Sequence, residues 1–152
     1  MNYWLFKSEP NCYSIDDLQK DKIQTWDGIR NYQARNMLRD DVKIGDKVLF
    51  YHSSCPEPGV VGVCEVVKEG YPDSTAFDPK SEHPDPKSDP DKPRWFMVDV
   101  QFEKKFERLV SLAQIKEMSE FSGMKLIQRG NRLSLFPVDK NHFDLICKIG
   151  QA

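Results

Sequence analysis

The stretch Thr25-Trp26-Asp27-Gly28-Ile29-Arg30-Asn31-Tyr32-Gln33-Ala34-Arg35-Asn36 gathers the residue types most able to hold a ligand. Trp26 is a large flat aromatic beside a Gly turn. Asn31, Arg35 and Arg39 then recur every four residues, which places them on one helix face. An aromatic plane, a flexible backbone and a row of long cations suit a ligand with one π-face and several phosphates. A nucleotide taken out of a nucleic-acid strand has that chemistry. A packed Trp before an ordinary solvated helix is the commoner use of such a segment.

Other candidates are polar groups at strand ends and turns. Lys7-Ser8-Glu9-Pro10 closes a strand with a cation, a hydroxyl and a carboxylate before a proline, and Tyr51-His52-Ser53-Ser54 closes another. Arg129-Gly130-Asn131-Arg132-Leu133-Ser134 is a basic turn feeding a strand, with Gly130 open to conformations other residues resist. Plain strand termini and surface turns carry the same residues. Arg35, Arg39, Arg129 and Arg132 are the expected phosphate contacts.

Catalysis has little support. There is no G-x-S-x-G, P-loop, H-E-x-x-H or G-x-G-x-x-G motif. Glu9 with Asp16, or Cys55 with His52, would be an acid/base or nucleophile pair, but nothing in the spacing fixes either geometry. Cys12, Cys55, Cys64 and Cys147 form no C-x-x-C pair, and with His52, His83 and His142 they have poor zinc spacing. No catalytic residue, metal or cofactor is therefore expected, and the thiols read as reduced.

The elements must bring these groups together. A chain of 152 residues with 39% hydrophobic and 30% charged content fits one soluble globular domain, residues 1–152. No apolar run approaches membrane-spanning length, and the opening Met1 to Lys7 reads as a first strand, not a signal peptide; a cytoplasmic location is expected. Oligomeric state is open. Net charge is −2, but the Tyr71–Pro93 segment alone carries six acids against three lysines. From Arg94 onward the count is ten basic to seven acidic, compatible with a local positive face.

Residues 2–7 are apolar on both faces, as in a strand covered on two sides. Ser14 caps a short helix, a brief extended stretch spans Ile23 to Trp26, and a helix runs from about Asn31 to Arg39. Strands follow at Lys47–His52, Val60–Val67 and Arg94–Phe102, then a helix capped by Ser111, a strand at Leu133–Val138 and a last helix after Asp139. Between Tyr71 and Pro93 lie six of the ten prolines, so that segment reads as an irregular excursion apart from the chemistry. The order predicts an α+β domain on a mixed or antiparallel curved sheet, a partly closed β-barrel with surrounding helices.

Five segments carry a family resemblance. They are Tyr3–Pro10, Trp26–Asn36, Phe50–Ser53, Tyr71–Pro79 and Arg132–Val138, and together they resemble the EVE domain family from residue 3 to about 146. The resemblance implies a PUA-like fold related to YTH and ASCH domains. It implies a pocket for a modified base, with modified cytosine the usual candidate, in DNA or RNA. Matching pocket positions are Lys7, Ser8, Trp26, Arg30, Asn31, His52 and Ser134; Lys7, Ser8 and Trp26 also resemble the YTH cage. The first family segment starts at Tyr3, with no basic stretch like the nuclear members' tail ahead of it in this sequence, so nuclear targeting and added nonspecific DNA affinity are not expected. Trp26 would restore part of the stacking a flipped base loses, and Asn31 would read a base edge. The expected function is a noncatalytic reader. An enzyme acting on a nucleobase or RNA, and a binder of a free nucleoside, stay open as alternatives.

Overall fold

The computed structural model describes residues 1–81, 84–88 and 91–151. Strand β1 (Tyr3–Ser8) leads to helix α1 (Ile15–Asp21), β2 (Ile23–Trp26) and helix α2 (Tyr32–Asp40). Then come β3 (Lys47–His52), β4 (Gly59–Pro72), a 3-10 turn at Ser74–Phe77, β5 (Phe96–Ser111) and helix α3 (Leu112–Glu117). The short β6 (Leu135–Pro137) and helix α4 (Lys140–Gly150) close the chain.

The six strands form one mixed sheet in the order β2-β5-β4-β3-β1-β6. β1 and β3 are parallel, in register from Tyr3 with Lys47 to Ser8 with His52; the other pairs are antiparallel. The expected α+β class holds, and the partly closed barrel holds only in part: the sheet is not closed, with β2 and β6 as its two edges. Four register shifts between β4 and β5 mark where that long ribbon leaves regular pairing. Such bulges bend a strand and sharpen its twist without closing the sheet.

Both faces are covered. Trp4, Phe6, Trp26, Leu38, Phe50 and Val98 belong to a core with α1 and α2; Leu5, Leu49, Phe106, Phe136, Phe143 and Ile146 belong to a second with α3 and α4. Period-two alternation in β1 sends Phe6 to one core and Leu5 to the other, the reason that strand is apolar throughout. Helix α1 starts with a complete capping box between Ser14 and Asp17. β4 and β5 are each longer than their apolar runs indicate, reaching Pro72 and Ser111.

Candidate functional site

A cavity of about 620 Å³ opens where β1 and β2 end. That volume lies in the range of small-molecule pockets. Its walls are Lys7, Ser8 and Glu9 from β1 and the residue after it, Cys12 and Tyr13 from the following turn, Gln24 to Ile29 from β2 and the Gly28 turn, and Thr75. Gly28 turns the chain with φ 75°, a backbone shape that favours glycine.

Trp26 has two roles. Its ring packs 5.3 Å from Phe6 and edge-on at 5.5 Å from Phe50, leaving it 5% exposed, and it also borders the cavity. The ring is thus a core side chain whose small exposed remainder lies at the cavity wall. Lys7 brings a cation whose ammonium lies 5.7 Å from the Phe136 ring centroid. Among the described residues it pairs with no carboxylate, and burial lowers its pKa. The Ser8 hydroxyl donates to the Tyr13 carbonyl, which leaves its oxygen as an acceptor toward the cavity.

Asp73 stands behind this wall and is fully buried. Its carboxylate accepts from the Gly28 amide at 2.9 Å, Arg30 Nη1 at 3.0 Å, and the Thr75 amide and hydroxyl at 2.9 and 2.6 Å. Burial pushes the carboxyl pKa up, but the bonds from Thr75, Gly28 and Arg30 outweigh it and hold it below the usual value. One buried anion thus ties two segments of the cavity wall together across 45 residues of sequence. The expectation that the whole Tyr71–Pro93 segment stands apart from the chemistry is corrected. Its first part supplies Asp73 and Thr75, because β4 extends to Pro72 and delivers the 3-10 turn to the pocket. Residues 82, 83, 89 and 90 lie outside the described residues.

Several expected pocket residues serve the framework. Arg30 pairs with Asp73 and lies 5.5 Å from the Trp95 ring centroid, so it buttresses the wall from behind. Asn31 is the N-cap of α2; its Oδ1 accepts from the Ala34 amide at 3.0 Å, and the residue does not border this cavity. His52 is also corrected. Its Nε2 accepts from the Ile15 amide at 3.1 Å, fixing α1 to the end of β3, and burial lowers its pKa. Ser134 gives its carbonyl to the Lys7 amide at 2.8 Å and does not border the cavity. The Arg35 Nη1 donates to the Arg94 carbonyl and Nε to Asn36, while Arg39 forks onto Asp40. Both guanidinium groups thus bond within the protein.

Gln24 and Thr75 border the cavity without having been assigned to it, and Thr25 and Asp27, part of the opening ligand-binding stretch, do so without having been given a role of their own. Their signal was present. Gln24 and Thr25 flank Trp26 on a short strand, and Thr75 falls inside one of the five family segments. A second concavity is lined by Asn31, Gln33, Lys125, Gln128, Arg129, Gly130, Asn131, Arg132 and Leu133. It brings together Arg129 and Arg132 and adds Lys125, and among the described residues no acidic one lines it.

Comparison with known proteins agrees with this arrangement. The sequence model of the EVE domain matches residues 2–149. Thymocyte nuclear protein 1 of Rattus norvegicus is 43% identical over 170 residues, spanning 99% of this chain and 74% of that protein. The crystal structure of human THYN1 protein in complex with 5-methylcytosine containing DNA superposes with a TM-score of 0.93 at 39% identity, covering 100% of this chain and 99% of that one. An ASCH protein of Zymomonas mobilis, at 9% identity and a TM-score of 0.56, shares the fold alone.

Proposed function

This chain belongs to the EVE domain family, and on that premise we propose that it is a noncatalytic reader of a modified cytosine drawn from a DNA strand. The observation that carries the reading is the cavity in which Trp26, held by Phe6 and Phe50, faces a space ringed by Lys7, Ser8 and the Gly28 turn. The human relative bound to 5-methylcytosine containing DNA supports the choice of base and of DNA.

The chemistry of the wall follows from that role. Trp26 supplies a π-surface for a base that has left its stack, worth about 1–3 kcal/mol. Lys7 donates to a ring acceptor such as the cytosine carbonyl, and the carboxylates of Glu9 and Asp27 are acceptors of the kind an exocyclic amine needs. The Thr75 hydroxyl donates to Asp73 and accepts from Arg30 Nη2, which leaves its methyl as the contact it can offer. One methyl group adds apolar area and no hydrogen bond. Discrimination between modified and unmodified cytosine is therefore on the order of tenfold to a few hundredfold. A noncatalytic role is supported by His52, the candidate base, accepting from Ile15 with its Nε2.

The test uses two oligonucleotides that differ only in one 5-methylcytosine, titrated against the protein while Trp fluorescence is read. The methylated strand should bind more tightly and quench emission, and Trp26→Phe should abolish that quench, since Trp4 and Trp95 do not border the cavity. Equal affinity for the two strands overturns the reading.

A further inference from the structure

The reader reading accounts for the Trp26 pocket but leaves the basic concavity at residues 125–133 without a role. We propose that this concavity is a groove for the phosphodiester backbone of the strand whose base enters the pocket. The proposal rests on the reader reading, because it takes its partner from there.

Position is the first argument. The pocket wall ends at Ile29 and the groove wall begins at Asn31, two residues on. On the other side, Lys7 of the pocket takes the Ser134 carbonyl at 2.8 Å, and the adjacent Leu133 lines the groove. The two linings are therefore connected along two separate stretches of chain. A strand leaving the pocket in this direction runs toward the groove.

Charge is the second. Lys125, Arg129 and Arg132 are all exposed, and among the described residues none of the three forms an ion pair. Arg39, by contrast, forks onto Asp40, and Arg35 donates to the Arg94 carbonyl and Asn36. The chain as a whole carries −2, so three unopposed cations in one concavity are a local departure from its average.

Preorganisation is the third. Gly130 turns the loop with φ 83°. Asn131 Nδ2 donates to the Lys125 carbonyl at 2.7 Å, and its Oδ1 accepts from the Leu133 amide at 3.1 Å. Gln128 Nε2 donates to the Gly123 carbonyl at 3.0 Å. The amide side chains brace the loop and the cations stay outward. A braced loop loses less freedom on binding than a mobile one.

The experiment measures binding of a labelled single-stranded oligonucleotide with one 5-methylcytosine across a series of salt concentrations, alongside calorimetry with the free nucleoside 5-methyl-2′-deoxycytidine. The variant carries Lys125→Gln, Arg129→Gln and Arg132→Gln together. Its log–log salt slope should fall by about 2, at about 0.7 per lost single-strand phosphate contact, while its nucleoside affinity stays as in the parent. Arg132→Glu alone, folded as judged by circular dichroism, should shift the slope in the same direction. An unchanged slope in these variants overturns the groove, and so does an equal loss of nucleoside affinity. A parent protein that ignores the methyl group, with a slope that still falls in the triple variant, sinks the pocket reading and keeps the groove.

Discussion

Asp73 is the residue on which most of the pocket wall depends. It is fully buried and accepts four hydrogen bonds, one of them from Arg30. Arg30 is a quarter exposed, so its charge is partly solvated once its partner is gone, and Asp73→Asn, which also weakens the bonds to Gly28 and Thr75, should lower stability by about 1–3 kcal/mol in a denaturant titration. The pH dependence has a definite sign. The folded pKa of Asp73 lies below its unfolded value, so its contribution is fully present above the unfolded carboxylate range, near 4. It is lost as pH falls through the folded pKa. Asp73→Asn should therefore flatten the acid limb of the stability profile, and a limb as steep as the parent's would show that other carboxylates set it. Asp73 was quoted within a family segment but given no role, because nothing local marks one aspartate among the six acids of that stretch as buried.

At the scale of elements, His52 joins two that the sequence separates. Its Nε2 accepts from the first amide of α1, an interaction only neutral imidazole makes. With its folded pKa lowered by burial, the unfolded chain binds the extra proton first. Stability should thus decline as pH falls below about 6.5, the ordinary His value, and continue to decline down to the folded pKa. His52→Gln should remove that part of the profile, and hydrogen exchange at the start of α1 should report the loosening. A second element contact is set by Gly70, where β4 passes α2. An added Cβ there would meet the Leu38 carbonyl and the Arg39 Cα, both backbone. Gly70→Ala should cost about 1–3 kcal/mol through overpacking, seen as a lower melting temperature. A neutral result would mean that α2 shifts freely against the sheet.

For the whole molecule, binding and folding are linked. A ligand that binds only the folded chain stabilises it by about 2.7 kcal/mol at one hundred times its Kd. For a chain of 152 residues that is an upward shift of about 5–10 °C in Tm. The methylated oligonucleotide should give that shift, and the same concentration of unmethylated strand a smaller one. Trp26→Phe should reduce the shift by the methylated strand. It should also lower the unliganded Tm, since Trp26 packs on Phe6 and Phe50 as well as bordering the pocket.

Much of this fold was legible in the sequence because it is local. The two-sided apolar pattern of β1, the Ser14 capping box, the helix around Ala34 and Leu38, and the five family segments are set by neighbours in the chain. So is the choice of Trp26, whose bordering of the pocket needs only a strand end and the Gly28 turn. The division of labour among the polar residues was not legible. Asn31, Arg30, His52 and Asp73 have the chemistry of ligand-binding groups, and they bond instead to Ala34, Asp73, Ile15 and Gly28. Whether a side chain faces a ligand or a backbone amide is decided by which buried donors lack partners after the chain has packed. The Asn31 cap is local, three residues from Ala34, but the bonds of Arg30, His52 and Asp73 join residues 37 to 45 positions apart, and only the tertiary structure contains those.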